Sequence, residues 1–149
     1  MRNLTVLAVL LTVTFLSSGQ GQAASDHIGV VKSVEGSAII ERGTSQLPVK
    51  PGDQVFNGDR IATAAESALG VTFKDGSLMS LGPDALMEMD ELVYEPQNGK
   101  LSMVAHFVQG TFTQVSGGIA RLKPEAVNFR TPNGTIGIRG TRFVVRVPK

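Results

Sequence analysis

His27 and His106 are the whole imidazole supply of this 149-residue sequence, and there is no cysteine. Disulfide frameworks, thiolate zinc sites and cysteine nucleophiles are therefore excluded. No HExxH, paired-histidine or carboxylate cluster with metal-ligand spacing occurs, so no metal site is expected. His106 stands in an alternating stretch and reads as a strand residue, at the surface or bonded to a neighbour. Ser77, Ser80, Ser102 and Ser116 lie in or beside strand-like runs, and none has a GxSxG elbow around it. Asp53, Asp59, Asp75 and Asp84 each adjoin glycine or proline, and no D-x-D-x-D-G loop is present. They read as turn formers, not as general acids or calcium ligands. Gly134, Gly137 and Gly140 lack the Gly-Lys-Ser/Thr ending and following helix of a phosphate loop, so they read as backbone corners. Asn133-Gly134-Thr135 fits a glycosylation sequon and reads as a turn. No catalytic residue and no cofactor is expected; the sequence points to binding, not to an enzyme.

The elements that would position any binding group are short strands with regular turn chemistry between them. Ile28 to Val34 and Ser37 to Glu41 flank Glu35-Gly36. Pro51-Gly52-Asp53 and Asn57-Gly58-Asp59 are turn tripeptides, with Val55, Phe56 and Ile61 as nearby apolar contacts. ALGVTF (68–73) leads through Lys74-Asp75-Gly76-Ser77 into LMSLG, a strong hairpin signal. ALMEMDELVYEP (85–96) carries helical spacing at Leu86, Met89 and Val93 but also strand alternation at Ala85, Met87 and Met89; with β neighbours on both sides it is read as a strand. LSMVAHFVQG and TFTQVSGG read as two runs separated at Gly110. VNFRTP, GTIGIRG and TRFVVRV close the chain, with Phe73, Phe112, Phe129 and Phe143 assigned to the core. Glycine corners and short strands suit a sandwich, a roll or a small solenoid, and periodicity alone does not choose.

Composition is that of a single ordered domain: 42% hydrophobic and 18% charged residues. The start of the chain has the marks of an export leader. Arg2 precedes the 13-residue apolar run Leu4 to Leu16, and Gly21 and Ala23 are small residues at the two positions a signal peptidase reads. A membrane span needs about 20 apolar residues, so a cleaved leader over 1–23, helical in form, is expected to precede a β domain over 24–149. No membrane-spanning segment is expected after cleavage, and the product is expected in the periplasm or otherwise outside the cytoplasm. Removing residues 1–23 takes away only Arg2, leaving 13 basic and 13 acidic residues. A neutral domain with one Tyr, seven Phe and no Trp gives no reason to expect nucleic acid. The charge is segregated: nine acids and three bases over 51–100, against seven bases and Glu125 over 121–149. Either the two segments neighbour and neutralise each other, or Arg139, Arg142 and Arg146 form a basic face for an acidic partner.

GDRIAT (58–63), the F-x-DGS turn at Phe73 to Ser77 and the closing TPNGTIGIRGTRFVV (131–145) together resemble the FecR domain family, over about residues 28 to 147. Gly58, Asp59, Asp75, Gly76, Thr131, Pro132, Gly140 and Phe143 carry that likeness as structural positions. The resemblance implies an all-β fold, a compact twisted stack of short strands of solenoid-like or roll-like form. It also implies an extracytoplasmic role in binding another envelope protein, in the context of iron uptake or cell-surface signalling. Transducer members place an anti-sigma segment and a membrane helix before this domain; here a leader is expected in their place, so only the binding role is carried over. Strand addition along Thr141 to Val147 is the expected mechanism, with Arg139, Thr141, Arg142 and Arg146 as partner-binding residues. A structural or glycan-binding protein of the cell envelope is the alternative.

Overall fold

The computed structural model describes residues 26–149; the expected leader, residues 1–23, lies outside the described residues. The strands are β1 (Gly29–Glu35), β2 (Ala38–Arg42), β3 (Ser45–Pro48), β4 (Gln54–Val55), β5 (Arg60–Thr63), β6 (Ala68–Phe73), β7 (Leu78–Leu81), β8 (Leu86–Glu95), β9 (Lys100–Val115), β10 (Val127–Thr131), β11 (Gly134–Gly137) and β12 (Arg142–Val147). Among the described residues there is one α-helix, α1 (Gly118–Leu122), which with a 3-10 turn at Pro124–Ala126 joins β9 to β10. The protein is all-β, and of the arrangements open to the sequence it adopts the roll: one curled sheet in which β9 belongs to two wings. The first wing runs β4-β1-β6-β7-β9-β12, the second β3-β2-β5-β8-β9-β10-β11.

Alternation decides which face of each strand is buried. In β6, Leu69, Val71 and Phe73 point inward while Ala68, Gly70 and Thr72 do not. In β8, Met87 and Met89 are buried and Glu88 between them is not, so alternation prevails over the helical spacing of Leu86, Met89 and Val93. Pairing to β5 on one side and β9 on the other supplies the ladder bonds that favour the strand.

Gly110 does not separate two strands, as the sequence suggests, but lies inside a single 16-residue one. Before it, β9 pairs with β8 and, in parallel, with β10; from it onward, β9 pairs with β7 and β12. Gly110 takes φ +101, which bends the strand from one wing to the other. Its bare Cα rests on Ala85: an added Cβ would lie 2.6 Å from Ala85 Cβ and closer still to its Cα.

The core is a phenylalanine stack across that bend. Phe107 and Phe112, from the two parts of β9, stack at 4.3 Å between centroids, and Phe107 stacks on Phe129 of β10 at 4.9 Å. Phe143 of β12 leans on Phe129 at 5.6 Å, half-buried at the rim. Phe73, Phe112 and Phe129 are buried as expected, and Phe107 joins them. One polar side chain is trapped among them. Gln114 is fully buried, its Nε2 only 3.9 Å from Met103 Sδ and its Oε1 without a hydrogen-bond partner among the described residues. An unmet buried acceptor is costly, so Gln114→Met is expected to raise stability by about 1 kcal/mol, measured by thermal denaturation.

Candidate partner-binding edge

β12 is held by β9 alone among the described residues, from Arg142↔Val115 to Val147↔Gly110. The Ser116 N–H donates to the Thr141 carbonyl at 2.8 Å, and the Ser116 hydroxyl to the Gly140 carbonyl at 2.8 Å. Ser116 thus clamps the chain just before β12, a role its sequence context does not signal. The bond at Thr141 also sets the phase of the ladder. In an antiparallel pair, residues alternate between facing their partner with N–H and C=O and facing away. Thr141, Phe143, Val145 and Val147 therefore face β9, and the backbone groups of Arg142, Val144 and Arg146 face outward. The same three residues carry exposed side chains, with Val144 63% accessible, while Phe143 and Val145 pack against the core.

Arg142 and Arg146 share one face, about 13 Å apart along the strand. Arg139 and Thr141 lie in the irregular segment before β12, both exposed, and Arg139 borders a shallow groove with Pro124, Val127 and Ile138. The charge segregation is resolved only in part. Arg130 Nη1 approaches Asp90 at 3.9 Å and Lys149 Nζ approaches Asp84 at 3.1 Å, joining the basic segment to the acidic one. Arg139, Arg142 and Arg146 make no ion pair among the described residues. Many of the acids are answered locally. A polar row crosses the outer face of the second wing in register: Gln46, Glu41, Arg60, Glu88, His106 and Arg130. Within it Arg60 contacts Glu41 and Glu88 at 3.3 Å each, and His106 Nδ1 lies 3.6 Å from Glu88 Oε2. His106 is thus a half-exposed strand residue beside a carboxylate.

The remaining motif residues hold turns. Asp59, fully buried, accepts from Arg42 Nε at 2.7 Å, Arg42 Nη2 at 2.8 Å and the Phe56 N–H at 2.9 Å. These bonds hold the Arg42 guanidinium above its usual range. Arg42 Nη2 also donates to the Gln54 carbonyl at 3.0 Å, and its guanidinium lies 4.3 Å from the Phe56 ring centre. Since β2 stands next to one end of the strand path and β4 at the other, Arg42 ties the roll across its opening. Asp75, also buried, accepts from the Ser77 hydroxyl at 2.6 Å, the Ser77 N–H at 3.0 Å and the Ile119 N–H at 3.3 Å. Gly58 and Gly76 complete these turns at φ +86 and +79. Thr131 Oγ1 donates to the Gly134 carbonyl at 3.0 Å, closing the β10–β11 hairpin around Pro132 and Asn133. Ser77 is therefore an anchor of the turn that seats α1, its buried hydroxyl committed to the Asp75 carboxylate.

Among the described residues, no group of three or more His, Asp or Glu is placed to hold a metal ion, and no helix is long and apolar enough to cross a membrane. The domain is a curled β-sheet with buried turn carboxylates and, at β12, an open edge that carries arginines. The chain belongs to the FecR protein family, whose model matches residues 59–149. A search of curated proteins and a search of solved structures returned no match. The family is one of signalling and regulation, associated with iron uptake and the cell surface, typically found at the envelope, and not a known enzyme family. β1 to β3 and β4 precede the matched region, yet β1 pairs with β6 and β2 with β5, so they complete the same sheet.

Proposed function

We propose that this chain is an exported FecR-family interaction module of the periplasm. In this reading residues 1–23 are a leader removed on export, and residues 24–149 form the domain that captures another envelope protein. Capture occurs by strand addition onto β12, in the iron-uptake or cell-surface signalling setting of the family. The observation that supports it most is the coincidence of backbone and charge: the residues whose N–H and C=O groups face outward, Arg142, Val144 and Arg146, include two arginines without an ion-pair partner among the described residues. An unpaired strand edge is a template for another strand, and guanidinium groups along it favour an acidic one. Arg139 and Thr141 extend the same surface toward the chain that leads into β12.

Crosslinking in intact cells, followed by mass identification of the captured protein, tests this reading. Arg142→Ala with Arg146→Ala is expected to reduce capture roughly five- to tenfold, the scale of two exposed charge contacts, with Tm unchanged. A fall in Tm with capture intact would assign both arginines to holding the strand in place. Retention on purified sacculus, with no protein captured, would favour the glycan-binding alternative.

A further inference from the structure

We infer that the β12 edge is built to refuse a second copy of itself and to accept a five-residue extended segment of another protein with acidic first and last residues and three apolar residues between. This rests on the strand-addition reading above and adds the identity of the strand to be added. The refusal follows from the spacing of the arginines. Two copies of β12 joined antiparallel through all three outward-facing residues would pair about Val144, which sets Arg142 opposite Arg146 of the second copy, twice per interface. Like charges directly opposite on one face of a pair are destabilising. No acid on this strand offsets them, since β12 reads RFVVRV.

Acceptance follows from the same register. Residues of an added strand opposite Arg142 and Arg146 share a face with the guanidinium groups, and a carboxylate at each position pairs with them. The residue opposite Val144 meets an exposed apolar side chain, 63% accessible. The two residues between these positions fall on the other face, beside Phe143 and Val145, which are half-buried and packed on the core. Apolar side chains there extend the core outward. The pattern reads the same from either end, so it does not depend on whether the strand adds in parallel or antiparallel. The chain's own Glu91-Leu92-Val93-Tyr94-Glu95 has this pattern but is already paired to β9 within β8.

Single charge reversal gives the sharper test. Arg142→Glu makes the edge self-complementary, because the introduced carboxylate then lies opposite Arg146 of the second copy at both ends. The variant is therefore expected to dimerise, by sedimentation velocity, at concentrations where the unaltered protein is monomeric. Fluorescence anisotropy with peptides whose cores are Glu-Val-Val-Val-Glu and Lys-Val-Val-Val-Lys reads the acceptance. The unaltered protein is expected to favour the glutamate peptide roughly tenfold, and Arg142→Glu with Arg146→Glu to reverse that order. Unaltered protein that dimerises through β12, or a peptide preference unchanged by double reversal, would overturn the inference. If crosslinks still place an envelope protein on β12 in that case, the strand-addition reading survives without it. Crosslinks mapping to another surface would sink both.

Discussion

Gly110→Ala is expected to destabilise the domain by about 3–5 kcal/mol and to lower its Tm by roughly 12–20 °C. Two penalties add at this position. The backbone sits at φ +101, where a residue with a Cβ is strained, and the new methyl group has nowhere to go because Ala85 occupies its place. Nor can the strand shift to relieve the clash. It is bonded to β8 and β10 before the bend and to β7 and β12 after it. Gly99 is the control that separates the two penalties, since it has φ +67 but open space around its Cα. Gly99→Ala is expected to cost about 1 kcal/mol. Equal losses at both positions, in thermal or denaturant unfolding, would show that the approach to Ala85 is not what demands glycine at 110.

Arg42→Met is expected to destabilise by about 3 kcal/mol, the lower end of the range for breaking a buried ion pair. Asp59 is fully buried, and without Arg42 its carboxylate keeps a single backbone donor, the Phe56 N–H. The loss is at the lower end because the Arg42 side chain is itself 40% exposed. The variant also removes the bond to Gln54 and the guanidinium stacked on Phe56, so the opening of the roll loosens with it. Adding Asp59→Leu removes the stranded charge, and the double variant is expected to recover part of the loss. The bonds to Asp59 raise the folded pKa of Arg42, so the guanidinium stays charged through the neutral range and its share of the stability is lost only as pH climbs through that raised value. An Arg42→Met unfolding free energy within about 0.5 kcal/mol of the parent, from denaturant titration, would contradict this account.

Local chemistry made the strands and corners legible in the sequence. Asp75-Gly76 between two apolar runs predicts the β6–β7 hairpin, and alternation through ALGVTF predicts its buried face, because both depend on residues adjacent in the chain. What escaped was non-local. The continuity of β9 through Gly110 is decided by Ala85 and by four partner strands, none of them near Gly110 in sequence. The helix α1 has five residues, too few for a helical period, and it is seated by Asp75, 44 residues away from Ile119. Arg42 and Asp59 are 17 residues apart with nothing in their spacing to pair them. At the candidate edge, the alternation of RFVVRV is plain in the sequence. The outward phase of its backbone is not: it is fixed by Ser116, which the sequence offers only as a serine in a strand-like run.

Everything proposed for β12 depends on unpaired backbone groups at Arg142, Val144 and Arg146 that another strand can complete. Residue-resolved amide hydrogen exchange, on the protein alone and with its captured partner, tests this most directly. Alone, those three amides are expected to exchange quickly while Phe143, Val145 and Val147 are protected by β9; with the partner bound, all six are expected to be protected. Slow exchange at Arg142, Val144 and Arg146 in the unbound protein, or no change there on binding, would contradict it.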